Sequence, residues 1–114
     1  GVFKEHEVKN VSEVELKKYF HAEEHGYRIQ DSIKDRVKFK KHDLLLDSYD
    51  NGYHAVVCRN VTIYFKNEAK NLIYKKINES LVPGGIFFTG ATESIYNPKD
   101  FGFRKISTFL YEKI

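Results

Sequence analysis

Two short, unbroken apolar runs flank a stretch whose apolar positions recur every three or four residues. The first, Ala55-Val56-Val57-Cys58, is built of small and β-branched residues and follows the turn formers Asp50, Asn51 and Gly52. Such a run predicts a strand buried on both faces. The second is Ile86-Phe87-Phe88-Thr89-Gly90. Between them, Ala69, Leu72, Ile73, Ile77, Ser80 and Leu81 share one side of a helical wheel, and Glu68, Lys70, Asn71, Lys75 and Asn78 share the other. That spacing predicts an amphipathic helix over 67–81, capped by Asn67 and stopped by Pro83-Gly84-Gly85. Strand, helix, strand is the unit, and a right-handed crossover leaves its two strands parallel.

The flanks follow other periods. Residues 11–20 read as a helix, with Ser12 and Glu15 spaced as a capping box. Residues 21–30 are polar around Gly26 and alternate over Tyr27-Arg28-Ile29-Gln30, the pattern of a small hairpin, and with 31–36 they form a β excursion. Asp31-Ser32 caps a short turn running through Asp35. Val37-Lys38-Phe39-Lys40 alternates apolar and basic, as a half-exposed strand does. Tyr96-Asn97-Pro98 marks a turn. Residues 103–106 and 108–113 suit a closing antiparallel pair, with Phe109 and Tyr111 on one face. The fold class is therefore α/β, a mostly parallel sheet with an antiparallel edge hairpin.

Composition narrows the picture. A chain of 114 residues builds one domain with a modest core. Charged residues make up 31%, and no run approaches the roughly 20 apolar residues that cross a bilayer. The first residues carry no secretory pattern, and a lone Cys58 fits a reducing compartment; together these point to the cytoplasm. Met is absent and the chain opens in mid-pattern, which fits a segment of a longer protein. The net charge is +3. Lysine and arginine cluster at 34–41 and 66–76, and with acids interleaved they read as solvated outer faces of a strand and a helix. No nucleic-acid motif accompanies them.

Candidate chemistry collects at strand ends. Arg59-Asn60 directly follows the first buried run, where open α/β sheets place their ligand crevice. Asp43 follows 37–40 in the same way; its carboxylate either accepts hydrogen bonds from a ligand or caps the following turn. Glu93 is the one ionisable residue of Ala91-Thr92-Glu93-Ser94, at the end of the second run. The five histidines lack metal-ligand spacing with Cys58 or a carboxylate. Cys58 reads as a buried, inert thiol, because the adjacent Arg59 points to the opposite face. Ser94 lacks the context of a nucleophile elbow, and Gly84-Gly85 is a turn, since no helix follows it.

The strings V-x-F-x-x-H-D-L-L (37–45), V-V-C-R-N-V-x-I-Y-F (56–65), L-V-P-G-G-I-F-F-T-G-A-T-E (81–93) and F-G-F followed by T-F-L-Y (101–111) closely resemble the carboxyl-terminal half of the chemotaxis receptor methyltransferases, the CheR family. The resemblance runs over essentially the whole chain. It implies a partial Rossmann-like class I methyltransferase sheet and transfer of the methyl group of S-adenosyl-L-methionine (AdoMet) to glutamates on the cytoplasmic helices of chemoreceptors. It also implies cofactor contacts at Asp43, Leu44, Arg59 and Asn60, with Arg59 orienting an acidic group and Tyr64 near the reacting centre. The excursion lacks the insertion of members that dock on a receptor tail pentapeptide, which implies independence of that tail. The family's amino-terminal helical domain, glycine-rich turn and ribose-binding acid have no counterpart here, so the chain carries about half a pocket and is expected to be inactive alone. The edge of the 55–58 strand is then open and apolar, a surface for self-association. No catalytic base is required, because a glutamate is already ionised at neutral pH. The alternative is a receptor- or partner-binding module of the same fold without catalysis.

Overall fold

Residues Gly1–Lys41 and His42–Ile114 form separate units in the computed structural model, which describes residues 1–90 and 93–114. The first unit is antiparallel. Strand β1 (Val2–Phe3) pairs with β3 (Gly26–Ile29), which pairs in turn with β2 (Phe20–Glu23). Helix α1 (Glu13–Tyr19) precedes the hairpin, and the Ser12 hydroxyl accepts the N–H of Glu15 at 3.2 Å, as the capping pattern predicts. Gly26 turns the hairpin where a Cβ would run into the Phe3 carbonyl, so β1 lies against it only because the residue is glycine.

Two expectations fail in this unit. The helical turn α2 (Asp31–Lys34) begins at Asp31 and is flanked by Gln30, so Asp31 is a helical residue rather than its cap. Residues 37–40 form no strand. A strand needs a neighbour to complete its ladder, and no described strand pairs there. Phe39 is 92% exposed, so the alternation has no apolar surface to meet.

The second unit holds the predicted strand, helix and strand: β4 (Tyr53–Cys58), α3 (Asn67–Ser80) and β5 (Leu81–Thr89). β4 and β5 are parallel, in register from Ala55 opposite Ile86 to Cys58 opposite Thr89. The closing pair, β6 (Phe103–Ser107) and β7 (Leu110–Lys113), is antiparallel and completes the order β4-β5-β7-β6. This mixed sheet is that of a partial Rossmann-like α/β fold. No described helix is long and apolar enough to cross a membrane.

Local departures have local causes. α3 starts after Lys66, so Asn67 is its first residue and not its cap. Its buried stripe is Ile73, Tyr74, Ile77 and Ser80, while Leu72 is 43% exposed; the wheel had the right side but was centred one residue off. Pro83-Gly84-Gly85 lies within β5 as an irregularity, the ladder passing from Tyr53 opposite Leu81 to Ala55 opposite Ile86. Gly84, at φ 80°, supplies the left-handed residue that this detour needs. Ala91 and Thr92, part of the polar stretch expected after this strand, lie outside the described residues.

β4 is not buried on both faces. It is an edge strand, with Val57 67% exposed and Cys58 half-buried. The two edges of the sheet differ. β6 carries Arg104 and Lys105, the former 2.5 Å from Glu112 on β7, whereas Tyr-His-Ala-Val-Val-Cys on β4 carries neither lysine, acid nor proline. Charges on an edge discourage further pairing, and β4 has none of this protection.

The core lies between α3 and one face of the sheet. Phe87, Phe103 and Tyr111 are fully buried, and Phe87 stands 5.6 Å from Phe103, 6.2 Å from Tyr74 and 6.4 Å from Tyr111 between ring centroids. Truncating the ring they share, Phe87→Ala, should cost about 3–5 kcal/mol by urea denaturation, more than a half-buried aromatic such as Phe88→Ala.

Candidate functional site

Cys58 and Thr89 are the last paired residues of two parallel neighbours, so the loops that follow them leave the sheet side by side. One carboxylate ties those loops together. Glu93, 4% exposed, accepts the N–H of Asn60 on Oε1, and on Oε2 the hydroxyl of Thr62 and, at 3.1 Å, its N–H. Burial pushes the Glu93 pKa up, but donation by the Thr62 hydroxyl and by the N–H groups of Asn60, Thr62 and Val61 outweighs it. The carboxyl is held below its ordinary range. It is a charged acceptor built into the fold, not a proton carrier near neutral pH.

This anchor sets the backbone around it. Asn60 sits at φ 59°, in the left-handed region that asparagine occupies more readily than most side chains, and presents its N–H to Glu93. A Cβ on Gly90 would collide with the Glu93 carboxylate and come within 3.2 Å of Asn60 N and Oδ1. Glycine is therefore required where the loops cross. On the far side, the Ile95 N–H donates to the Tyr111 hydroxyl at 3.0 Å, fastening the second loop to β7.

Arg59 and Asn60 stand at the end of β4, as the sequence predicts. The Arg59 guanidinium lies over the Phe88 ring at 5.1 Å. The Asn60 side chain has no hydrogen-bond partner among the described residues. Tyr64 follows in a 3-10 turn (Thr62–Tyr64) and is 82% exposed. Cys58 is half-buried rather than buried, and burial pushes its thiol pKa up, with Glu93 adding to the effect, so it is no thiolate.

Asp43 is placed differently from the expectation. With no strand before it, it opens a loop, and its Oδ1 accepts the N–H groups of Leu45 at 2.9 Å and Leu46 at 3.0 Å. The turn-capping role is thus filled by one oxygen, and Oδ2 has no described partner. The bonds from Leu46 and Leu45 hold its carboxyl below the usual range. Leu44 packs against the core, and its carbonyl accepts the Tyr49 hydroxyl at 2.7 Å. Burial pushes the Tyr49 pKa up to about 12, and the Cys58 thiol and Asp43 carboxyl add to it. Tyr49 thus ties the Asp43 loop to the core against which it packs.

Sequence reasoning noted Glu93 as an isolated ionisable group without giving it a role. The available signal was an acid among small residues at a strand end, opposite an asparagine at the end of the neighbouring strand. A concavity of about 470 Å³ adjoins Glu93, lined among others by Asn67, Lys70, Tyr74, Ser94 and Asn97.

The family model for the CheR methyltransferase SAM-binding domain matches residues 1–110. The chain belongs to the CheR methyltransferase family. A chemotaxis protein methyltransferase of Listeria monocytogenes is 38% identical over 113 residues, covering 99% of this chain and 43% of the relative. One of Listeria innocua is 36% identical over the same extent, and chemotaxis protein methyltransferase 1 of Pseudomonas aeruginosa is 39% identical over 95 residues, 81% of this chain and 34% of the relative. The chain thus spans less than half the length of these curated relatives.

Within this CheR-family corner the anchor predicts its own variant. Glu93→Gln keeps the shape but turns an NH2 group toward donors, and should cost roughly 2–3 kcal/mol at pH 7 in thermal or urea unfolding. Because the native carboxyl is depressed, its contribution is complete above the unfolded value near ~4.3 and is lost as pH falls through the native value below it. The gap between wild type and Glu93→Gln should therefore be constant from pH 7 to about 5 and shrink in more acid solution.

Proposed function

We propose that this chain forms the carboxyl-side half of an AdoMet-dependent protein-glutamate O-methyltransferase, acting in the cytoplasm on the helices of chemoreceptors. The observation that carries this reading is the Glu93 anchor. It holds Asn60, whose amide has no partner among the described residues, at the carboxyl end of two parallel strands, in a chain of the CheR family. Leu44 offers a half-buried apolar surface to the nucleoside, and the Asp43 Oδ2 an acceptor beside it. Asn60 hydrogen-bonds the cofactor toward its methionine-bearing side. Arg59 orients an acidic group, and Tyr64 packs near the reacting centre. These residues suit one side of AdoMet.

When bound, AdoMet supplies a methyl group activated by a sulfonium. The acceptor carboxylate needs no base, since its pKa near ~4.3 leaves it ionised at neutral pH. Arg59, Asn60, Asp43 and Leu44 would hold AdoMet so that an acceptor carboxylate meets its methyl group in line, and esterification there would remove both formal charges. The contribution of this chain is alignment, and it is measured in placement rather than in proton transfer.

Amide-resolved NMR tests the reading at the weak affinities expected of half a pocket. Titration with S-adenosylhomocysteine should give saturable shifts at Asp43, Leu44 and Asn60, and Asn60→Ala should weaken binding about tenfold. The absence of saturable shifts would favour a partner-binding module without the cofactor, and shifts confined to other residues would move the site.

The uncharged edge of β4 supports a second element of the same proposal. That edge takes a further strand, and a second copy of this chain can supply it. Light scattering should show concentration-dependent association that Val57→Lys, a charge on the exposed edge, reduces; a wild-type chain that stays monomeric at high concentration would refute it.

A further inference from the structure

Of the lysines clustered at 66–76, only Lys76 has its ammonium engaged among the described residues. From α3 its Nζ donates to the carbonyl of Leu45 at 2.7 Å and of Asp47 at 3.2 Å, and lies 5.4 Å from the centre of the Tyr49 ring. These contacts fall on a loop without a ladder. Leu44, Leu45 and Tyr49 pack against the core, and the other polar pins of residues 43–49 come from the loop itself: Asp43 Oδ1 to Leu45 and Leu46, Asp47 Oδ2 to the Asp43 N–H at 2.7 Å, and the Tyr49 hydroxyl to the Leu44 carbonyl. His42 adds an edge-on ring contact to Tyr49 at 4.8 Å. Apolar packing is non-directional and holds the loop down without fixing its backbone in one place. Lys76 is the described polar group that fixes it to the helix packed on the sheet, and it sits beside the buried stripe of Ile73, Ile77 and Ser80, where a long side chain can lay its stem on apolar surface and direct its head outward.

We propose that Lys76 is a positioning residue for the nucleoside side of the site: by holding the Leu45 and Asp47 carbonyls it sets the place from which Asp43 and Leu44 meet a bound purine nucleoside. The proposal rests on the cofactor reading above. It assigns to a helix residue that touches no ligand a specific share of affinity, separate from that of Asn60, which Glu93 holds independently. The arrangement is also selective. Two of the three donors of the ammonium reach the two carbonyl oxygens, and an apolar side chain of similar length satisfies neither of them.

The test is the S-adenosylhomocysteine titration of the whole chain, followed by NMR, with Lys76→Met and Lys76→Arg. Lys76→Met should weaken binding about tenfold. It should also abolish the shifts at Asp43 and Leu44 while leaving the Asn60 shift at saturation unchanged, a pattern that general loss of stability does not produce. Lys76→Arg, still cationic and able to reach both carbonyls, should stay within about threefold of wild type. Unchanged affinity in Lys76→Met, or uniform loss of shifts that includes Asn60, overturns the proposal. Should Lys76→Met fail to fold, Lys76→Arg decides: retained affinity and shift pattern support the proposal, and a tenfold loss overturns it. A wild-type chain with no saturable shift defeats the cofactor reading itself, and this inference with it, whereas wild-type binding that Lys76→Met leaves intact defeats the inference alone.

Discussion

A buried carboxylate must be satisfied by donors or be protonated, and in this chain that requirement organises the carboxyl end of the sheet. Glu93 meets it with the N–H groups of Asn60 and Thr62 and with the Thr62 hydroxyl, all drawn from the loop that leaves the neighbouring strand. The left-handed Asn60, the glycine at 90 and the 3-10 turn from Thr62 to Tyr64 are consequences of closing that small network. Tyr74 of α3 lines the same concavity as Glu93. The network therefore couples the two parallel strands to the exposed residues Arg59, Asn60 and Tyr64.

The core supplies the rigidity this network needs. Phe87, Phe103, Tyr111 and Tyr74 bring rings from two antiparallel strands, the parallel strand β5 and the helix to one place, and Tyr111 also holds the loop beyond Glu93 by its hydroxyl. Aromatic packing and polar anchoring thus meet in one side chain. At the other side of the sheet that economy stops: β4 has a single neighbour, no charge and an exposed valine. The contrast with the basic β6 edge separates a strand finished for solvent from one shaped for company.

How far the sequence could be read depended on whether a signal was local. Parallel β4 and β5, the helix between them, the β2–β3 hairpin and the closing β6–β7 pair all follow from apolar period and turn residues, and all formed. Residues 37–40 had a strand's alternation without a partner in the described chain, and alternation alone does not make a ladder. Tyr74 in place of Leu72, and Lys66 rather than Asn67 before α3, are shifts of a residue or two, at the limit of what a wheel resolves. Arg59 and Asn60 were legible because a polar pair interrupted an apolar run. Glu93 and Lys76 were not, since their partners lie some thirty residues away and are mostly backbone groups, which carry no sequence signal.

The Asn60 loop and the Asp43 loop are held by opposite means, and the difference has a chemical reason. Glu93 is an anion that gathers N–H groups; Lys76 is a cation that gathers carbonyls. Each fixes mainly backbone, so the Asn60 amide and the second oxygen of Asp43 have no partner among the described residues although the chain beneath them is constrained. For the proposed reaction this is the useful division of labour. A carboxylate attacking a sulfonium methyl needs neither base nor acid, only approach along the carbon–sulfur axis, and the achievable gain depends on how little the surrounding loops can move. Titratable groups within the site would add nothing to such a step. Placed behind it, as Glu93 and Lys76 are, they stiffen it.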